Sequence, residues 1–75
     1  MNIERTVNAI IKKLKEYRIP HEVQGDKFTF VIAPTATILT ENCTIEVYKN
    51  EISVNEKYIN GVNEMISEVR AIEGR

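Results

Sequence analysis

His21, Cys43 and the run Glu46, Tyr48 and Lys49 are the side chains whose types could do chemistry in this chain. A histidine titrates near neutrality without help, so His21 could serve as a general base if an acidic partner oriented its ring. Its sequence neighbours are Glu22 and Asp26, and no recognisable spacing joins the three. The expectation is a surface histidine where a helix gives way to a strand. Cys43 follows Glu41-Asn42, and acidic neighbours do not stabilise a thiolate. It is expected to pack, partly buried, rather than attack. One cysteine and one histidine also exclude an internal disulfide and a Cys/His zinc set.

Glu46 and Lys49 are the residue types with which metal-dependent nucleases hold a cation and steady a phosphate. That chemistry needs a further aspartate on a strand, and the single aspartate, Asp26, falls in a turn-forming dipeptide. Charged residues alternating along the solvent face of a strand account for the run. Gly25, Gly61 and Gly74 are too dispersed to form a phosphate-binding loop. No catalytic, cofactor-binding or metal-ligating residue is therefore expected, and the chain is not expected to be an enzyme.

Charge is distributed unevenly. Residues 1–18 hold Arg5, Lys12, Lys13, Lys15 and Arg18 against Glu4 and Glu16, whereas residues 41–75 hold four basic side chains against seven glutamates. Arg5, Lys12, Lys13 and Lys15 lie on the outer side of the first predicted helix and are the candidate nucleic-acid contacts, since ammonium and guanidinium groups bind phosphates.

The elements that must position these groups follow from the hydrophobic period. Ile3, Val7, Ile10, Ile11, Leu14 and Tyr17 recur at steps of three and four, which predicts a helix over residues 3–18 with Asn2 as its cap and Pro20 as its stop. Residues 21–59 alternate as strands do. Gly25-Asp26 predicts a hairpin joining residues 21–24 to 27–32, with Phe28 and Phe30 on one face and Pro34 breaking the run. Further turns are expected at Glu41-Asn42, Lys49-Asn50 and Asn55-Glu56. Val62, Met65, Ile66, Val69 and Ile72 restore the helical period, with Asn60 as the expected cap.

The order helix, sheet, helix resembles in topology that of the double-stranded RNA-binding domain across most of the chain. That family carries a lysine cluster at the start of its second helix, where this chain has Asn60, Gly61, Asn63 and Glu64. The resemblance therefore implies architecture and not an RNA contact at that helix.

The sequence thus predicts one α+β domain over residues 1–75. It is a two-layer sandwich of helix, antiparallel meander of four to five strands and helix, with both helices on one face of the sheet. Ile10, Leu14, Phe30, Val47, Met65 and Val69 are the expected core. Residues 72–75 match the recognition sequence of the processing protease factor Xa, so they are kept out of functional reasoning as a candidate cloning scar. No apolar run approaches the roughly 18 residues of a membrane span, and no secretory leader is evident. The expected function is that of a small cytoplasmic, non-enzymatic domain that binds protein. Small size without disulfides or metal favours a homodimer or other homo-oligomer. The alternative is nucleic-acid binding through the basic face of the first helix, and no membrane partner is expected.

Overall fold

The computed structural model describes residues 3–24, 36–49 and 51–74. Its elements are α1 (Ile3–Glu16), β1 (Glu22–Gln24), β2 (Ala36–Leu39), β3 (Thr44–Val47), β4 (Ile52–Val54), β5 (Lys57–Ile59) and α2 (Val62–Glu73). The strands form one antiparallel sheet in sequence order. The helix, five-stranded meander and helix are those the hydrophobic period predicts. The proposed second hairpin strand, residues 27–32, lies outside the described residues together with Asn2, Gly25, Asp26, Phe28, Phe30 and Pro34. Among the described residues the partner of β1 is β2, with Val23 opposite Ile38.

Strand alternation sorts the sheet into two faces. The registers Ala36↔Val47, Ile38↔Ile45, Ile45↔Val54, Val47↔Ile52 and Ile52↔Ile59 carry the buried residues along one face. On that face α1 packs on β3, α2 packs on β4, and the two helices pack on each other. Lys57 marks its rim: it stands opposite Val54 on the helix side and reaches the Glu68 carboxylate of α2 at 3.3 Å. Ile10, Leu14, Ile38, Ile45, Val47, Met65 and Val69 are wholly buried. The expected core is confirmed at every described position, and Ile19, Ala36 and Cys43 join it. Ile72 departs from its stripe and is 38% exposed.

The helix ends differ from the sequence reading in instructive ways. Pro20 is not what ends α1. Arg18 takes a left-handed backbone (φ 57), its N–H bonds the Lys15 carbonyl at 3.0 Å, and the Ile19 N–H bonds the Leu14 carbonyl at 2.8 Å. This is a Schellman termination, and its apolar contact is the buried pair Leu14 and Ile19. Nor does Asn60 cap α2. The cap position is Gly61, without a side-chain cap bond, while the Glu64 carboxylate accepts the Asn60 N–H at 3.4 Å. At the other end of α2, Gly74 closes the helix in the left-handed conformation.

Asn55 and Glu56 both have positive φ, 49° and 71°, as a two-residue hairpin turn matching the twist of its strands requires. Asn55 suits its place: its side-chain oxygen accepts the Thr44 N–H at 2.8 Å and its amide donates to the Asn42 carbonyl at 3.2 Å. Glu56 gains nothing comparable there. A left-handed backbone costs an ordinary residue roughly 1–2 kcal/mol, partly offset on substitution by the entropy of glycine. Glu56→Gly should therefore stabilise the domain by about 0.5–1 kcal/mol, read as a higher midpoint in urea unfolding. Leu14→Ala should cost about 2–5 kcal/mol by the same measurement, because it empties a fully buried site and the apolar half of the helix stop.

Candidate interaction surface

The four candidate nucleic-acid contacts do not form one cluster. Arg5, Lys12 and Lys15 are exposed on the outer side of α1, whereas Lys13 is half-buried and faces the Glu16 carboxylate at 3.9 Å. Glu4 and Glu16 are exposed on the same helix. Arg70 of α2 adds nothing to this surface, since its guanidinium sits 4.2 Å from the centre of the Tyr17 ring and ties the two helices together.

His21 is half-buried, and its Nδ1 lies 2.9 Å from the Ile19 carbonyl oxygen. A carbonyl only accepts, so Nδ1 carries the proton and the ring braces the turn after α1. Cys43 is 3% exposed, more deeply buried than its sequence position suggested. Burial pushes its thiol up; a hydrogen bond with Thr40 works against this, and the nearby Glu73 carboxylate adds to it. The thiol is therefore held away from the reactive thiolate. Of the Glu46, Tyr48 and Lys49 run, Glu46 accepts a long bond from the Ser53 hydroxyl at 3.5 Å. Among the described residues no three acidic, histidine or cysteine side chains converge as a metal site.

The second face of the sheet is covered by no described element. Across it the registers align Gln24, Thr37, Glu46, Ser53 and Tyr58 in one row. Ser53 is only 1% exposed although it stands on this outer face. Tyr48, one residue past β3, and Tyr58 of β5 bring their ring centres to 6.0 Å with planes tilted by 52°. Burial first, then the Glu46 carboxylate and Tyr58, push the Tyr48 phenol up, so it stays protonated. Tyr58 remains 62% exposed, the largest value among the exposed large apolar side chains described. A shallow depression of about 350 Å³ is lined by Thr44, Glu46, Asn55 and Glu56.

Sequence reasoning placed Tyr48 on a polar strand face but missed its partner. Pairing the two rings requires the register of three strands at once, which no local spacing reveals. It also missed Glu73. That carboxylate, from the last turn of α2, accepts the Thr40 hydroxyl, the Asn42 N–H at 2.8 Å and the Asn42 side-chain amide at 3.1 Å. Thr40 Oγ1 in turn accepts the Cys43 N–H at 3.0 Å. The suspected scar thus contains a residue built into the β2–β3 turn.

These bonds hold the Glu73 carboxyl below the usual carboxylate range, the Thr40 hydroxyl being the largest cause. A depressed folded-state pKa contributes stability above the unfolded value, and that contribution is lost as pH falls through the folded one. Glu73→Gln should lower stability by about 1–2 kcal/mol at neutral pH. The gap between wild type and variant in urea unfolding should close as the solution is acidified through the carboxylate range. A gap that stays constant with pH would mean that the charge is not what holds the turn. Compared with family models, with curated proteins and with solved structures, the chain matches none of them.

Proposed function

We propose that this domain is a small cytoplasmic, non-enzymatic protein-binding unit that self-associates through the sheet face that no described element covers. The observation that carries the reading is the contact between the Tyr48 and Tyr58 rings, with Tyr58 62% exposed, on a face that no described element covers. Tyrosine supplies large, stiff contact area at small entropic cost, and it is enriched in the few residues that dominate association energies. Thr37, Thr44 and Glu46 extend the same face across β2 and β3 with polar groups, while the aromatic pair lies toward its β5 edge. Among the described residues no helix is long and apolar enough to cross a membrane.

Nucleic-acid binding is the second reading, favoured by the exposed ammonium groups of Lys12 and Lys15. It ranks lower because the basic helix side and the tyrosine pair lie on opposite sides of the molecule. Base stacking and phosphate contact therefore do not share a surface.

Light scattering across micromolar to millimolar concentrations tests the first reading. The mass should rise above that of the monomer, and Tyr58→Ala should weaken association about thirtyfold, as loss of an interface aromatic worth about 2 kcal/mol implies. A strict monomer at millimolar concentration, or an association indifferent to Tyr58→Ala and Tyr48→Ala, would overturn it.

A further inference from the structure

We infer that the surface received by the sheet face that no described element covers is the outer side of α1 from a second copy, so that copies associate head to tail. This rests on the reading that the sheet face is an interface, and it names the other half of the contact. The sheet face is acidic. Glu22 and Glu46 project from it, Glu56 stands at its rim, and its described strand residues include no lysine or arginine. Two such faces meeting about a two-fold axis would bring acidic surface against acidic surface, and like-charge juxtaposition at an interface serves to exclude wrong partners.

The outer side of α1 has the opposite sign. Lys12 and Lys15 are exposed there, and among the described residues neither has a carboxylate within ion-pair distance. Because α1 packs on the other side of the sheet, its outer side cannot reach the acidic face of its own chain. Within one chain the two surfaces cannot meet, and a second copy offers each its complement. The dimensions agree: a 14-residue helix is about 21 Å long, and five strands at their usual spacing span about 19 Å. A lysine ammonium also finds favourable positions over the tyrosine rings. A helix laid on this face would give the sheet helices on both sides. Since donor and acceptor surfaces lie on opposite sides of each copy, the contact does not close on itself and continues from copy to copy.

The test uses the whole chain and charge-neutral, nearly isosteric variants, with thermal unfolding as the check that each one folds. By light scattering, the wild type should exceed the mass of a dimer as concentration rises, and association should weaken at least about tenfold between low and high salt, as exposed charge pairs are screened. K12Q/K15Q and E46Q/E56Q should each remain monomeric under the same conditions. Their equimolar mixture should form a one-to-one complex and nothing longer, because each variant retains one of the two surfaces. If K12Q/K15Q still dimerises, or the mixture gives no complex while wild type associates, the head-to-tail inference fails and a symmetric sheet contact stands in its place. If wild type is monomeric at every salt concentration, both this inference and the reading beneath it fail.

Discussion

Everything in this fold depends on one constraint: among the described residues two helices cover the meander of short strands, and they cover one of its faces. Strand alternation sends every second residue toward α1 and α2, and Ile38, Ile45, Val47, Ile52 and Val54 meet Ile10, Leu14, Met65 and Val69 there. The polar accessories are arranged around that contact. The Schellman turn at Arg18 sets Ile19 into the core, the Lys57 and Glu68 pair closes one rim, and Arg70 over Tyr17 closes the seam between helices. None of these substitutes for the apolar contact, since exposed ion pairs contribute little by themselves.

Where periodicity alone decides the outcome, the sequence was legible. The stripes of both helices, the alternation through β3 and the dipeptides Glu41-Asn42 and Asn55-Glu56 are local signals, and each leads to the element observed. Terminal geometry was harder to read. Arg18 shows no sequence sign of a left-handed stop, because it is held by the Leu14 and Ile19 contact rather than by its own preference. Asn60 looked like a cap, yet Gly61 takes that position and Glu64 satisfies the preceding N–H from within the helix.

The surface was less legible than the core for the same physical reason. Burial leaves a periodic trace, whereas Tyr48 and Tyr58 come together through strand registers that a reader of spacing cannot sum. The basic residues of α1 were visible as a count, but only the fold separates Lys13, turned toward Glu16, from Lys12 and Lys15. Candidate chemistry at His21 and Cys43 resolved into architecture. One ring braces a carbonyl, and one thiol fills the core.

The bonds from Glu73 to the β2–β3 turn also order events during synthesis of the chain. Each strand of the described sheet pairs with a strand adjacent in sequence order, so much of the pairing needs no distant segment. The Asn42 N–H, by contrast, waits for a carboxylate 31 residues further on. At about 5–20 residues per second, that delay amounts to a few seconds of ribosome time. Until then water must satisfy the Asn42 N–H, while the Thr40 hydroxyl can already accept the Cys43 N–H within the turn. The turn is thus self-supporting early and secured late, and the end of the second helix is the piece that completes it.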